Sequence, residues 1–136
     1  MINKFKADQL GTIAIIAAVL TLLIALIVWN ANQSSFNTIT GPEAMVKLEE
    51  DETIIVLDVR TEEEHQENHF ANSVLIPLDE LEDKVATEIP DKEARIFIYC
   101  RSGRRSEEAA EILVKMGYKE VYNVIGLLGE GMEEDN

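Results

Sequence analysis

The sequence predicts an α/β domain with an open, mostly parallel β-sheet flanked by helices, preceded by one transmembrane helix. Three observations lead to this prediction. A run of 20 residues, beginning at Leu10 and ending at Trp29, contains no charged side chain. Beyond it, short apolar segments of strand length alternate with segments of helical periodicity. Such alternation is typical of a parallel sheet that helices cover on both faces.

The apolar run has the length of a membrane-spanning helix. Twenty helical residues extend roughly 30 Å, which is the thickness of a hydrocarbon core. A buried core helix would keep a polar stripe, and this run has none. A cleaved signal peptide is the other alternative, but the run exceeds the usual apolar length and lacks a small-x-small exit. We therefore expect an uncleaved anchor that binds the lipid bilayer, with Trp29 at its interface.

The distribution of lysines predicts how the anchor is oriented. Lys4 and Lys6 precede the run, whereas only Lys47 lies within the twenty residues after it. The positive-inside rule then places the N-terminus in the cytoplasm and the domain outside, as a single-pass protein of the cell membrane. The sequence thus divides into a basic segment (1–9), the membrane helix (10–29), a polar linker (30–38), the α/β domain (39–128) and a solvated acidic tail (129–136).

Charge and cysteine content exclude several classes of protein. The chain has 136 residues and a net charge of −14, and ten Lys/Arg stand against 25 Asp/Glu from Ala31 onward. Nucleic acid is not expected as a partner, because phosphate binding needs an excess of basic residues. The single cysteine excludes an internal disulfide and a multi-cysteine metal site.

Local patterns predict each element of the domain. Pro42 suits the first turn of a helix that runs to Glu50. Continuous apolar runs at 53–59 and 95–99 are typical of strands buried on both faces. The remaining elements are a helix over 62–67, a strand over 74–76, a helix over 78–89 with apolar residues three and four apart, a helix over 104–116, and a strand over 120–124.

The one cysteine, Cys100, follows the predicted strand 95–99. Ligands bind at this carboxyl edge in open parallel sheets. A short loop containing Gly103 then leads into a helix, so that backbone N–H groups point at the centre of the loop. Three arginines of the same segment, Arg101, Arg104 and Arg105, lie within five residues of the sulfur. We expect the N–H groups and the arginines together to lower the thiol pKa and to yield a nucleophilic thiolate, the alternative being an inert buried cysteine.

Other polar residues near this edge are expected to have supporting roles. Asp58 ends its strand and is predicted to stabilise the following turn, with Arg60 paired to Glu64. His65 and His69 are four residues apart, but two ligands make a poor metal site, so a structural role is expected.

Several of these segments resemble rhodanese-like domains. They are Ile39–Thr40–Gly41–Pro42–Glu43–Ala44, Leu57–Asp58–Val59–Arg60, Glu64, residues 68–73, Ile76–Pro77 and the loop Cys100–Arg101–Ser102–Gly103–Arg104–Arg105–Ser106. The resemblance implies sulfur transfer without a metal or other cofactor. Cys100 would attack a small anionic donor such as thiosulfate, hold the sulfur as a persulfide and pass it to a thiol or cyanide acceptor. It further implies that the loop residues 101–105 bind substrate and that Asp58, Arg60 and Ser106 support the site.

Two other functions are alternatives to this reaction. A rhodanese-like module could instead relay sulfur or sense redox state for a dedicated protein partner, such as a sulfur acceptor or thiol reductant. A tyrosine-phosphatase-like loop would need arginine at position 106, which is serine.

The sequence also departs from the family at Asn68, at Ala71–Asn72 and at residues 126–129, where the usual double glycine and tryptophan are missing. We expect Asn to tolerate the left-handed turns and the last wall of the pocket to be altered.

Overall fold

The computed structural model describes residues 2–31, 35–127 and 132–133, and the chain divides between residues 33 and 34 into two compact units. The first unit contains the helix α1 (Ile2–Ala31). Its segment Lys6–Trp29 is long and apolar enough to cross a membrane, with none of it buried in the protein. The predicted span of 10–29 lies within this segment, and the preceding basic residues continue the same helix.

The second unit is built on a five-stranded, entirely parallel sheet with the order β1-β6-β5-β2-β4. Its strands are β1 (Asn37–Thr40), β2 (Ile55–Asp58), β4 (Val74–Leu75), β5 (Arg95–Tyr99) and β6 (Glu120–Ile125). A separate antiparallel pair joins β3 (His69–Phe70) to β7 (Met132–Glu133). The helices are α2 (Gly41–Glu50), α3 (Glu62–Glu67), α4 (Leu81–Glu88), which follows a 3-10 turn at Leu78–Glu80, and α5 (Arg104–Lys115). The predicted α/β fold with a mostly parallel sheet is therefore confirmed.

The central strand β5 divides the core into two layers. Ile96 and Ile98 pack into one cluster with α4 and α5, whereas Phe97 and Tyr99 pack into the other with α2. This division follows from the two-residue period of a strand, whose successive side chains point to opposite faces. Cys100 continues the first cluster, so the thiol lies on the α4 and α5 side of the sheet.

Two short strands begin in segments that the sequence predicted to be linker and tail. Strand β1 begins at Asn37, inside the segment expected to be linker, because it pairs in parallel with β6 at the edge of the sheet. Strand β7 lies in the segment predicted to be the tail, where Met132 pairs with Phe70. Both elements are short and depend on pairing partners far away in sequence, so they leave no periodic pattern. Residues 32–34 of the linker and 129–131 and 134–136 of the tail lie outside the described residues.

Candidate active site

Cys100 lies at the carboxyl end of β5, with only 2% of its surface exposed. The loop turns at Gly103, whose φ of 87° is left-handed and favours glycine. The turn aims backbone N–H groups at the sulfur: Gly103 donates to Sγ at 3.1 Å and Ser106 at 3.4 Å. The Ser106 hydroxyl lies a further 3.4 Å from Sγ. The loop thus surrounds one sulfur atom with hydrogen-bond donors.

Hydrogen bonds within the loop control the pKa of the Cys100 thiol. Burial acts to raise it, but the Ser106 hydroxyl and the N–H groups of Ser106, Gly103 and Ser102 together lower it below its ordinary value. The sequence predicted this lowering from the loop N–H groups and the neighbouring arginines together. The hydrogen-bond donors of the loop account for it, and the arginines are not among its main causes.

The three arginines of the loop differ in their surroundings. Arg101 and Arg104 are exposed, and within the described ranges neither has an ion-pair partner. Arg105 is half-buried and forms a bidentate pair with Glu64 of α3, with Nη1–Oε2 at 2.7 Å and Nη2–Oε1 at 2.9 Å. Arg101 and Arg104 therefore remain available to an anion, whereas Arg105 joins α5 to α3.

The predicted pair between Arg60 and Glu64 is wrong. The Arg60 side chain is 2% exposed and donates to both Asp58 oxygens, with Nη2–Oδ2 at 2.8 Å and Nε–Oδ1 at 3.0 Å. Its Nη2 also donates to the Asn68 carbonyl at 2.7 Å. The Arg60 backbone N–H closes the turn on Asp58 Oδ1 at 2.9 Å. Arg60 therefore remains beside the end of its own strand, while Glu64 caps α3 through Thr61 and binds Arg105.

Asp58 is fully buried and is the centre of a polar cluster next to the loop. Besides Arg60, its carboxylate accepts from the Tyr99 hydroxyl at 2.8 Å and contacts His65 Nδ1 at 2.9 Å. Burial acts to raise the Asp58 pKa, but hydrogen bonds from Arg60 and His65 bring it below its ordinary value. The Tyr99 hydroxyl in turn accepts from the Phe70 N–H at 3.1 Å. The cluster links β2, β5, α3 and β3 at the edge where Cys100 lies.

The two histidines have structural contacts. Their rings stack with centroids 4.1 Å apart, and His69 Nδ1 lies 3.1 Å from the His65 carbonyl oxygen. Among the residues that the structure describes, no group of three His, Cys, Asp or Glu side chains could hold a metal ion.

The departures from the family pattern have different outcomes. Asn72 adopts a left-handed φ of 59°, as expected of an Asn in such a turn, whereas Asn68 is extended. Gly126 is also left-handed, and Leu127 is buried in the α2 cluster. Leu128 and Gly129 of the altered wall lie outside the described residues.

Two residues of β6 were missed by the sequence reasoning. Asn123 is 2% exposed, and its Oδ1 lies 2.6 Å from Ser106 Oγ. Ile125 is half exposed, and its side chain lies against Gly103, where an added Cβ would approach Ile125 Cγ1 to 3.3 Å. Asparagine in an otherwise apolar strand is a usable signal, because a buried amide requires partners. Nothing in the sequence marks Ile125.

The ion pair between Glu64 and Arg105 predicts a pH-dependent contribution to stability. Hydrogen bonds from Arg105 lower the pKa of Glu64 to about 2. A lowered pKa in the folded state means that the pair stabilises fully above about pH 4.5 and that this stabilisation is lost as pH falls toward 2. The free energy of unfolding of the full chain, measured with urea, should therefore fall less between pH 6 and pH 2.5 in Glu64→Gln than in the wild type. Glu93→Gln, at an exposed pair with Lys119, is the control. Parallel curves for wild type and Glu64→Gln would contradict the assignment.

Comparison with known proteins finds a family model, curated relatives and solved structures that are similar to this chain. A family model described as the rhodanese-like domain matches residues 41–130. The chain is 44% identical over 71 residues to the thiosulfate sulfurtransferase PspE of Escherichia coli, covering 52% of this chain and 68% of that protein. It is 43% identical over 94 residues to the putative sulfur carrier protein YrkF of Bacillus subtilis, covering 69% of this chain but only half of that relative. A crystal structure of a rhodanese-like domain protein from Staphylococcus aureus superimposes with a TM-score of 0.64 at 31% identity, over 74% of this chain and all of that one.

Proposed function

The chain belongs to the rhodanese-like family, and from that membership we propose that it is a membrane-anchored sulfurtransferase that carries sulfane sulfur on Cys100. The observation that supports this most directly is the ring of hydrogen-bond donors around one buried sulfur whose pKa is lowered. A thiolate is the nucleophile that sulfur transfer requires. The same donors can hold a terminal persulfide sulfur that carries negative charge.

The proposed reaction has two displacement steps. Cys100 Sγ attacks the outer sulfur of thiosulfate, the bond between the two donor sulfurs breaks, and sulfite leaves with the electron pair. Cys100 then carries one additional sulfur as an anionic persulfide. In the second step a thiolate or cyanide attacks the terminal sulfur, and the Cys100 thiolate is the leaving group. A covalent intermediate divides the transfer into two easier steps, and neither step requires a metal or cofactor.

The exposed cations are proposed to bind the donor. Arg101 and Arg104 are exposed and lie one and four residues after Cys100, in a domain whose net charge is strongly negative. Without them the negative background would repel a dianion such as thiosulfate. Local cations outweigh distant charges, because exposed charges are screened beyond about 8–10 Å.

This role of the arginines predicts a change in KM rather than in kcat. The double variant Arg101→Gln/Arg104→Gln should raise KM for thiosulfate about tenfold, since focused positive charge raises the local concentration of an anionic substrate. Steady-state kinetics at low and high salt measure KM for thiosulfate. The difference in KM between the double variant and the wild type should become smaller as salt is added. Lys115→Gln, which removes one positive charge at the other end of α5, is the control. An unchanged KM in the double variant would rule out this role.

The experiment for the proposed function uses the full chain in detergent. After treatment with thiosulfate, intact mass should increase by one sulfur atom, and addition of cyanide should release thiocyanate and restore the original mass. Repeated turnover supports an enzyme. The absence of both the mass gain and turnover would overturn the proposal.

A second candidate function is a sulfur relay to a dedicated protein, such as an acceptor or a thiol reductant. The similarity to a protein named as a putative sulfur carrier supports it. The same experiment separates the two functions, because a relay would gain the sulfur but would turn over slowly with cyanide and with small thiols.

The membrane anchor is part of the proposal and rests on the apolar segment Lys6–Trp29. The full chain should stay with membranes after alkaline carbonate extraction, and a chain lacking residues 1–30 should not. We further propose that the domain lies outside the cytoplasm, because Lys4 and Lys6 precede the segment. A membrane-impermeant thiol reagent should then label Cys100 to the same extent in intact and in permeabilised cells, and labelling that appears only after permeabilisation would reverse the orientation.

A further inference from the structure

The Ser106 hydroxyl has more acceptors around it than it has protons. Its Oγ lies 2.6 Å from Asn123 Oδ1, 3.0 Å from the Gly103 carbonyl oxygen and 3.4 Å from Cys100 Sγ. A serine hydroxyl has one proton to donate and two lone pairs to accept with. The shortest of these distances is the one to Asn123. The hydroxyl therefore donates its proton to Asn123 Oδ1 and offers the sulfur only a lone pair. Such a lone pair suits a thiol, which donates, and not a thiolate, which accepts.

Asn123 is placed to change this arrangement. It lies on β6, on the same face as Val121, which packs into the cluster that contains Cys100. Asn123 is the buried polar residue of β6, and its side chain forms a hydrogen bond with Ser106. The amide has an acceptor and a donor at nearly equivalent positions, so rotating it by half a turn replaces Oδ1 with Nδ2. Nδ2–H would then donate to Ser106 Oγ and leave the hydroxyl proton for the sulfur.

We propose that Asn123 is a positioning residue for the thiolate: through Ser106 Oγ, its amide determines whether the hydroxyl proton points toward or away from Cys100 Sγ. In the thiol state, S–H donates to Oγ and the hydroxyl donates to Oδ1. In the thiolate state, Nδ2–H donates to Oγ and the hydroxyl donates to the sulfur. In both states Ser106 Oγ donates one hydrogen bond and accepts one, and Cys100 Sγ keeps Ser106 as a partner, which favours burying such a network. The inference deepens the proposed function, since it concerns the residue proposed to be the nucleophile.

The other charged groups near the thiol do not take part in this exchange. Those on the surrounding elements are Arg101 of the loop, Arg104 and Arg105 of α5, Glu64 and His65 of α3, Asp58 of β2 with Arg60 after it, and Tyr99 of β5. Of the charged side chains, Arg105 interacts electrostatically with Cys100, and Glu64 holds it in place. None of these groups is altered in the test below.

The test measures the Cys100 pKa in a double-mutant cycle. Because Cys100 is the only cysteine, the pH dependence of alkylation of the full chain by the neutral reagent iodoacetamide reports its thiolate directly. Ser106→Ala in the wild-type background should lower the thiol dissociation constant about three- to tenfold, the effect of one hydrogen bond to the thiolate. Asn123→Asp supplies acceptors only and should retain the hydroxyl proton. In the Asn123→Asp background, Ser106→Ala should therefore change the thiol dissociation constant by less than about twofold.

The outcomes separate positioning from a simple charge effect. An aspartate that acted only by its charge would lower the dissociation constant but would leave the effect of Ser106→Ala unchanged, and that result would overturn the proposal. If Asn123→Asp fails to fold, nitrogen-15 NMR of the wild-type chain replaces it. In the wild type, the chemical shift of the Asn123 side-chain amide should change with pH at the pKa of Cys100. Most of this change should be absent in Ser106→Ala. An amide that does not respond to the titration would also overturn the proposal. Alkylation and NMR require no sulfur transfer, so a failure of the proposed function would be seen separately.

Discussion

Replacing Cys100 by Ser should abolish both the one-sulfur mass gain and thiocyanate production. We expect turnover to fall at least about a thousandfold, because a serine hydroxyl stays protonated at neutral pH and cannot form the persulfide. The loop donors would remain in place, since Gly103 and Ser106 donate from the backbone. The loss should therefore be chemical and not structural. Thiosulfate:cyanide kinetics and intact mass of the full chain measure it.

Two controls accompany this substitution. The near-ultraviolet circular dichroism of the three tyrosines, all of which lie in the α/β domain, should be the same in Cys100→Ser as in the wild type. Lys115→Gln should retain wild-type turnover, because this residue lies in the last turn of α5, away from the loop. Turnover that survives in Cys100→Ser would show that sulfur transfer does not proceed through this thiol.

Replacing Asp58 by Asn should lower the free energy of unfolding more than any other substitution proposed for this chain. Asp58 is fully buried and receives hydrogen bonds from Arg60 and Tyr99, so that neutralising it leaves the Arg60 guanidinium as an uncompensated buried charge. Breaking one side of a buried ion pair costs about 3–5 kcal/mol. That is a large fraction of the free energy of unfolding of a domain this size. Urea unfolding of the full chain, followed by tyrosine circular dichroism, measures the loss.

The control is a salt bridge of the same chemical type on the surface. Glu93 and Lys119 form an ion pair in which both side chains are about two-thirds exposed. Glu93→Gln should leave the urea midpoint nearly unchanged, because exposed pairs contribute little to stability. Equal effects of Asp58→Asn and Glu93→Gln would mean that the Asp58 cluster is not the structural centre described above.

The sequence anticipated elements whose signals are local. The bounds of β5 and α3 are those expected, because β5 is a continuous apolar run and α3 begins at Thr61, which caps it together with Glu64. The short strands β1, β3 and β7 were not anticipated. Each consists of two to four residues and exists through pairing with a distant segment. Neither composition nor period reveals such pairing.

The site shows the same division between local and distant information. The sequence alone determined that Cys100 ends a buried strand, that Gly103 turns the loop and that a helix follows, since each depends on neighbouring residues. Only the tertiary structure decided that Arg60 binds Asp58, that Glu64 binds Arg105 forty-one positions away and that Asn123 contacts Ser106. Opposite charges attract in any geometry, so a sequence offers several partners for each arginine. The packing of α3, α5 and β6 selects one, because hydrogen bonds form only over about 3 Å.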